Sequence, residues 1–258
     1  MKKEMNKKGQ VTIFIILAIV VVGLVLLVYS FYPQIKSAFV TQSKSPNAFM
    51  ESCLEEDLGV LIEKISLQGG KMNPQLTYMY KGNNIEYLCY TNEFYKLCTI
   101  QEPMLKETIE LEIKNGINNK VTQCLADLEK SYSSQGYQVS STKGEVSIEL
   151  LPKRVILSSD TKLILKKGET TETYEKISAV LNNNLYELVS IAISILNFET
   201  VFGDSEVTAY MDAYRDLKVE KLRQSDGTKI YILTDLNNEK LFQFATRSLA
   251  WPPGYSNE

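Results

Sequence analysis

Four cysteines carry most of the chemistry this sequence offers. Cys53, Cys89, Cys98 and Cys124 follow one another at separations of 36, 9 and 26 positions. A tetrathiolate zinc site needs close pairs of the C-x₂₋₄-C kind, and these spacings supply none. An even cysteine count in an exported domain favours disulfides instead. Cys89 and Cys98 flank a turn and form the natural local pair, while Cys53 and Cys124 each lie on the apolar stripe of a helix. A bridge between the latter two would staple those helices together. In a reducing compartment the same residues would be four buried thiols.

The other reactive groups point nowhere so definite. The chain has no histidine, which removes any mechanism using imidazole as base, nucleophile partner or metal ligand. No G-x-S-x-G, P-loop or Rossmann signature occurs. Ser/Lys or paired-carboxylate catalysis brings groups together in space, and no spacing here indicates it. Glu55-Glu56-Asp57 has the oxygen ligands calcium prefers, but it lacks a glycine-turned loop and sits on the polar face of a helix. Lys153-Arg154 and Lys166-Lys167 read as charged strand ends that protect sheet edges, the first pair also suiting anionic lipid headgroups. Trp251-Pro252-Pro253-Gly254-Tyr255 reads either as a polyproline-like docking motif or as a terminal strand stopped by its prolines. The expectation is a protein that is not an enzyme, with no catalytic, cofactor or metal residues.

What must position these groups begins with a membrane segment. Val11 to Tyr32 has no charged residue and is broken only by Thr12, Gly23 and Ser30. As a helix it spans about 33 Å, against a hydrocarbon core of about 30 Å. Tyr29, Phe31 and Tyr32 close it with interface-seeking rings. The run is longer than the apolar core of a cleaved secretory signal, and its aromatic exit offers no small-residue cleavage site. Lys2, Lys3, Lys7 and Lys8 precede it, so the amino end is expected in the cytoplasm and residues 33–258 outside. With Glu4 the leading segment sums to +3. The net charge of −3 therefore hides an outer part at −6, which disfavours nucleic acid as a partner.

The start of the run, Lys7-Lys8-Gly9-Gln10-Val11-Thr12-Ile13-Phe14, resembles the class III signal of archaeal type IV pilin-like proteins. That resemblance implies cleavage between Gly9 and Gln10 on the cytoplasmic side, leaving the apolar helix on the mature protein. Many pilins have Glu at the fifth mature position, where this chain has Phe14. Filament assembly loses an expected register contact there. The wider chain is similar to membrane-anchored surface proteins of small-genome archaea. It shares with them a Lys-Gly-Gln apolar start, a Cys-bearing helix ending in Gln68-Gly69-Gly70, a second Cys-bearing helix and a Phe244-Ala245-Thr246-Arg247 tail. The competing reading is an ordinary signal anchor in which Gly9-Gln10 is coincidental.

The 258 residues leave room for one or two domains. Residues 1–10 form a basic stub or leader, 11–32 the membrane helix and 33–45 a stalk. Residues 46–250 form the outer domain, with a sub-boundary near 102, and 251–258 a tail. Ser45-Pro46 is a helix start, followed by a stripe of Met50, Cys53, Leu54, Leu58, Leu61, Ile62 and Ile65. A longer helix runs from Pro103 to about Tyr132, with Gly116 as a weak point inside. Short strands are predicted at 76–80, 85–90, 96–99, 137–141, 145–151, 154–157, 161–166 and 170–176. Residues 178–199 read as a nearly uncharged helix at the centre of the core, on a stripe of Leu181, Leu185, Leu188, Ile191, Ala192, Ile195 and Phe198. A short helix near 205–215, strands at 217–223 and 228–234 and an apolar segment at 240–250 follow. The fold class is α+β: an N-terminal transmembrane helix, then a disulfide-bonded ectodomain of antiparallel strands packed with several helices. The expected role is structural or interactive at the cell surface, as a pilin-like subunit or, alternatively, as a membrane-tethered receptor or binding module. The expected partners are the lipid bilayer, copies of the chain and other surface proteins. In a filament, Gly23 is the one small residue of the Val20–Val28 stretch that would let helices approach closely.

Overall fold

The computed structural model describes residues 45–250, together with Leu17, Val20, Val21 and Val22, which are helical. Gly9, Gln10, Gly23, most of the apolar run, the stalk and the tail from Trp251 lie outside the described residues. The chain divides at Ser45 into two compact units, of which the second begins at Pro46.

Helix α1 (Pro46–Ser66) starts on its proline and buries Met50, Leu54, Leu58, Leu61, Ile62 and Ile65. It stops where Gly69 and Gly70 take φ of 76° and 92°, and the Gly70 amide donates to the Ile65 carbonyl. A Cβ on Gly69 would lie 2.9 Å from the Glu86 Cβ, so glycine is also what lets the next segment approach. Strands β1 (Thr77–Tyr80), β2 (Asn83–Tyr90) and β3 (Thr99–Ile100) lead to the 30-residue helix α2 (Leu105–Ser134).

The two helices run antiparallel, and three contacts fix their register. Cys53 is bonded to Cys124, Asp57 pairs with Lys120 at 2.8 Å, and Leu61 packs over Gly116. Each step of four along α1 is matched by a step of four back along α2, the stacking that 3.6 residues per turn dictates. Gly116 therefore corrects the expectation of a weak point. A Cβ there would stand 2.9 Å from both Leu61 methyls, so the glycine is the seat of the helix contact. Cys89–Cys98 closes the loop between β2 and β3, with Cα atoms 5.3 Å apart. Both bridges join the pairs indicated by the sequence.

The remaining strands are β4 (Gln138–Thr142), β5 (Val146–Leu151), β6 (Arg154–Ser159), β7 (Lys162–Lys167), β8 (Thr170–Tyr174) and β9 (Ile177–Asn182). Helices α3 (Leu185–Phe202) and α4 (Thr208–Ala213) follow, then β10 (Leu217–Arg223), β11 (Thr228–Asp235) and β12 (Leu241–Arg247). They form two three-stranded antiparallel sheets, β4-β7-β8 and β5-β6-β9, and one six-stranded sheet. The large sheet runs β1-β2-β12-β11-β10, with β3 along the end of β2. Its β2–β12 pair is parallel, a departure from the all-antiparallel expectation. β6 and β7 are the middle strands of their sheets, so Lys153-Arg154 and Lys166-Lys167 do not guard edges. α1 packs on α2 and β9, whereas α2 also covers β4 and β5.

The predicted helix over 178–199 is two elements. Ile177–Asn182 pairs with β6 along its whole length, and α3 begins only at Leu185. By length and composition α3 would also qualify to cross a membrane. Here it is a core helix against β2, β11, β12 and β6, within the same apolar cluster as α1 and α2. Its buried face differs from the expected stripe: Phe198 is 46% exposed and Glu199 is fully buried.

Candidate functional site

The start of α3 opens onto a cleft of about 790 Å³. It is built where four connections meet, one of them the α4–β10 link with Tyr214, Arg215 and Asp216. The β9–α3 link carries Asn182, Asn183 and Asn184; the β5–β6 turn carries Lys153; the β11–β12 turn carries Asp235, Asn237 and Asn238. Asparagine suits such links because its amide bonds nearby backbone and competes with regular structure. The Asn183 Oδ1 accepts from the Leu185 amide at 2.9 Å, turning the chain from strand into helix.

Hydrogen bonds tie these loops into one wall. The Lys153 amide donates to Glu187 Oε1 at 2.8 Å, and the Asn183 amide donates to the Lys153 carbonyl at 3.1 Å. Lys153 takes φ of 62° to do this, a left-handed conformation uncommon outside glycine. Asn184 Nδ2 donates to Asp235 Oδ2 at 2.6 Å, and Asp235 Oδ1 accepts from the Asn237 amide at 2.8 Å. The carboxylate neighbour fixes which way the Asn184 amide points, since only its NH₂ can face Asp235.

Two buried acceptors in this wall have no protein partner: Asn184 Oδ1 and Glu187 Oε2. Most buried polar groups in folded proteins are satisfied, so each such atom calls for a partner the chain does not supply. Tyr214, 57% exposed, and the half-buried Tyr186 add aromatic surface, with Arg215 and Asp216 beside them. The lining is thus rich in acceptors, bordered by rings and nearly free of nucleophiles. Ser190 directs its hydroxyl to the Tyr186 carbonyl at 2.7 Å. Among the described residues no three Asp, Glu or Cys side chains converge as a metal site requires.

The residues singled out by sequence are dispersed. Glu55, Glu56 and Asp57 are exposed along α1, and the four cysteines are spent in bridges remote from the cleft. Of the basic pairs, only Lys153 reaches it. Sequence reasoning missed the asparagine run because it fell inside the predicted helix. Three successive asparagines in a helix interior were the available signal. Compared with protein-family models, with curated proteins and with solved structures, the chain matches none.

Proposed function

We infer that this chain is a membrane-anchored surface protein whose outer α+β domain is a binding module, with the cleft at the start of α3 as its ligand site. The carrying observation is a roomy cleft whose wall includes Asn184 and Glu187, each with a buried side-chain oxygen that no protein group bonds. Acceptors in that number call for a ligand rich in donors. Neighbouring tyrosine rings offer flat faces for C–H contacts. A neutral, hydroxyl-rich molecule of the saccharide class fits both requirements. The uncharged run from Val11 to Tyr32 behind four lysines supports a single-pass anchor with the amino end in the cytoplasm.

The test is binding of a saccharide panel to the full chain in detergent or nanodiscs, read by nuclear magnetic resonance line broadening. At least one glycan is expected to bind. Asn184→Leu and Glu187→Gln should each weaken it at least about tenfold, the worth of a hydrogen bond to a buried polar group. Loss of neither, or silence across the panel, removes this reading. A pilin-like role is favoured by a different observation, Lys8-Gly9-Gln10 directly before the apolar run. A mature amino terminus at Gln10 would support that pathway, and an intact Met1 would support a permanent tether.

A further inference from the structure

Away from the cleft, at the other end of α3, the core holds charged groups that its apolar packing does not explain. Glu199, in the last turn, is 0% exposed, and Lys229 on β11 is 7% exposed. The Lys229 Nζ lies 2.6 Å from Glu199 Oε2. Tyr231, fully buried and stacked on Phe244, donates its hydroxyl to Glu199 Oε1. Asp204 Oδ1 stands 3.5 Å from the Lys229 Nζ. Asp204 is itself held by Lys221 at 2.9 Å and Arg223 at 2.7 Å, and it is half-exposed.

This is more than a buried ion pair. An amine rests against a carboxyl, the carboxyl's second oxygen already has a hydrogen-bond donor, and a further carboxylate lies beside the amine on the side open to water. We propose that Lys229 and Glu199 condense into an intramolecular isopeptide bond, with Asp204 relaying the proton and Tyr231 holding the oxyanion.

The steps balance without a co-reactant. Proton transfer inside the pair yields a neutral amine and a neutral acid, the form in which the nitrogen can attack the carboxyl carbon. Burial pushes the Glu199 carboxyl above its ordinary range, although the Lys229 charge and the bonds from Lys229 and Tyr231 pull the other way. The Lys229 nitrogen adds to the Glu199 carboxyl carbon, and the Tyr231 hydroxyl stabilises the negative oxygen. Asp204 takes a proton from the nitrogen and gives it to the departing hydroxyl. The C–N bond forms, the C–OH bond breaks, and one water leaves along the exposed side of Asp204. Fixed proximity supplies the drive that two free groups in water lack. The product exchanges two desolvated charges for one neutral amide. It joins the last turn of α3 covalently to a middle strand of the large sheet.

Lys221 and Arg223 have a role in this arrangement. Burial raises the Asp204 carboxyl, but the bond from Lys221 and the charges of Lys229, Lys221 and Arg223 outweigh it and keep Asp204 ionised. A carboxylate so held accepts a proton only transiently, as a relay must. It is also a poor electrophile, which is why Glu199 and not Asp204 is the residue that acylates Lys229.

The deciding measurement is mass spectrometry of the full chain, reduced, alkylated and digested with trypsin. The expected result is one species in which the Lys229 peptide is joined to the Glu199 peptide, one water lighter than the two together, with no cleavage after Lys229. Separate peptides of full mass from folded wild-type protein would overturn the proposal. Lys229→Met should return the Glu199 peptide to full mass. Should that variant fail to fold, the wild-type map still decides. Asp204→Ala, at a half-exposed position, should fold with both disulfides and keep the full mass. Complete water loss in Asp204→Ala would overturn the relay.

Discussion

Glu86 shows how one residue can work against the fold that needs it. It sits on β2, only 3% exposed, and accepts from the Gln75 amide at 2.6 Å and the Leu76 amide at 3.5 Å. Burial raises its carboxyl above the ordinary range despite those bonds and the Lys71 charge. A folded carboxyl raised above its unfolded value binds its proton more tightly in the folded state. Its contribution is fully present below the ordinary glutamate range and is lost as pH climbs through the folded value. Glu86→Gln keeps an acceptor for the closer Gln75 amide, gives up only the 3.5 Å contact with the Leu76 amide, and removes the charge. Its melting temperature should exceed that of the wild type at pH 7 and converge with it near pH 4, measured by circular dichroism. A variant melting lower at pH 7 would mean that the ionised form is needed. Glu199 teaches a related lesson about reading sequence. Its neighbours Ile195, Leu196 and Phe198 are apolar, so a stripe drawn by hydropathy passes it by. Only the position of Lys229, thirty residues on, shows that this glutamate faces inward.

Among elements, α2 was readable because one physical rule decides it. Leu105, Ile109, Ile113, Ile117, Val121, Cys124 and Leu128 recur every three or four residues, and all are buried. The β9–α3 boundary was not readable, because Leu181, Leu185 and Leu188 continue a helical spacing straight through the asparagines. Pairing of Ile177–Asn182 with β6 overrides that local period, and pairing partners are not visible from local sequence. The cleft inherits this difficulty, since it is made of links between elements and not of a motif. The bridges allow a quantitative test at this scale. Cys53–Cys124 spans 71 positions and Cys89–Cys98 only 9. Loop entropy assigns about 4 kcal/mol to the long bridge and about 3 kcal/mol to the short one. Paired Cys→Ala variants, unfolded in urea as full-length protein, should lose stability in that order. The reverse order would place the stabilisation in the folded packing of the bridges.

For the molecule as a whole, the α+β class followed from clustered helices and strands, and both bridges from cysteine placement. The parallel pairing of β2 with β12 did not, because Tyr87 and Ala245 become partners only after everything between them has folded. The proposed membrane anchor is also tested at this scale. A solitary tether surrounded by lipid accepts leucine as readily as glycine. Gly23→Leu should therefore leave surface abundance and glycan binding unchanged, as measured by surface labelling and by crosslinking in membranes. Loss of crosslinked oligomers in that variant would instead favour helices packed side by side, as in a filament.

The β2–β12 pairing also sets a timetable. A ribosome releases β2 long before it makes β12, yet β12 fills the place between β2 and β11 in the large sheet. Until Leu241–Arg247 appears, β1–β3 and β10–β11 are two fragments with open edges facing each other. The nascent domain must wait with its largest sheet still divided. One late strand thus joins the two parts of the largest sheet, and until it arrives each part presents an unpaired edge.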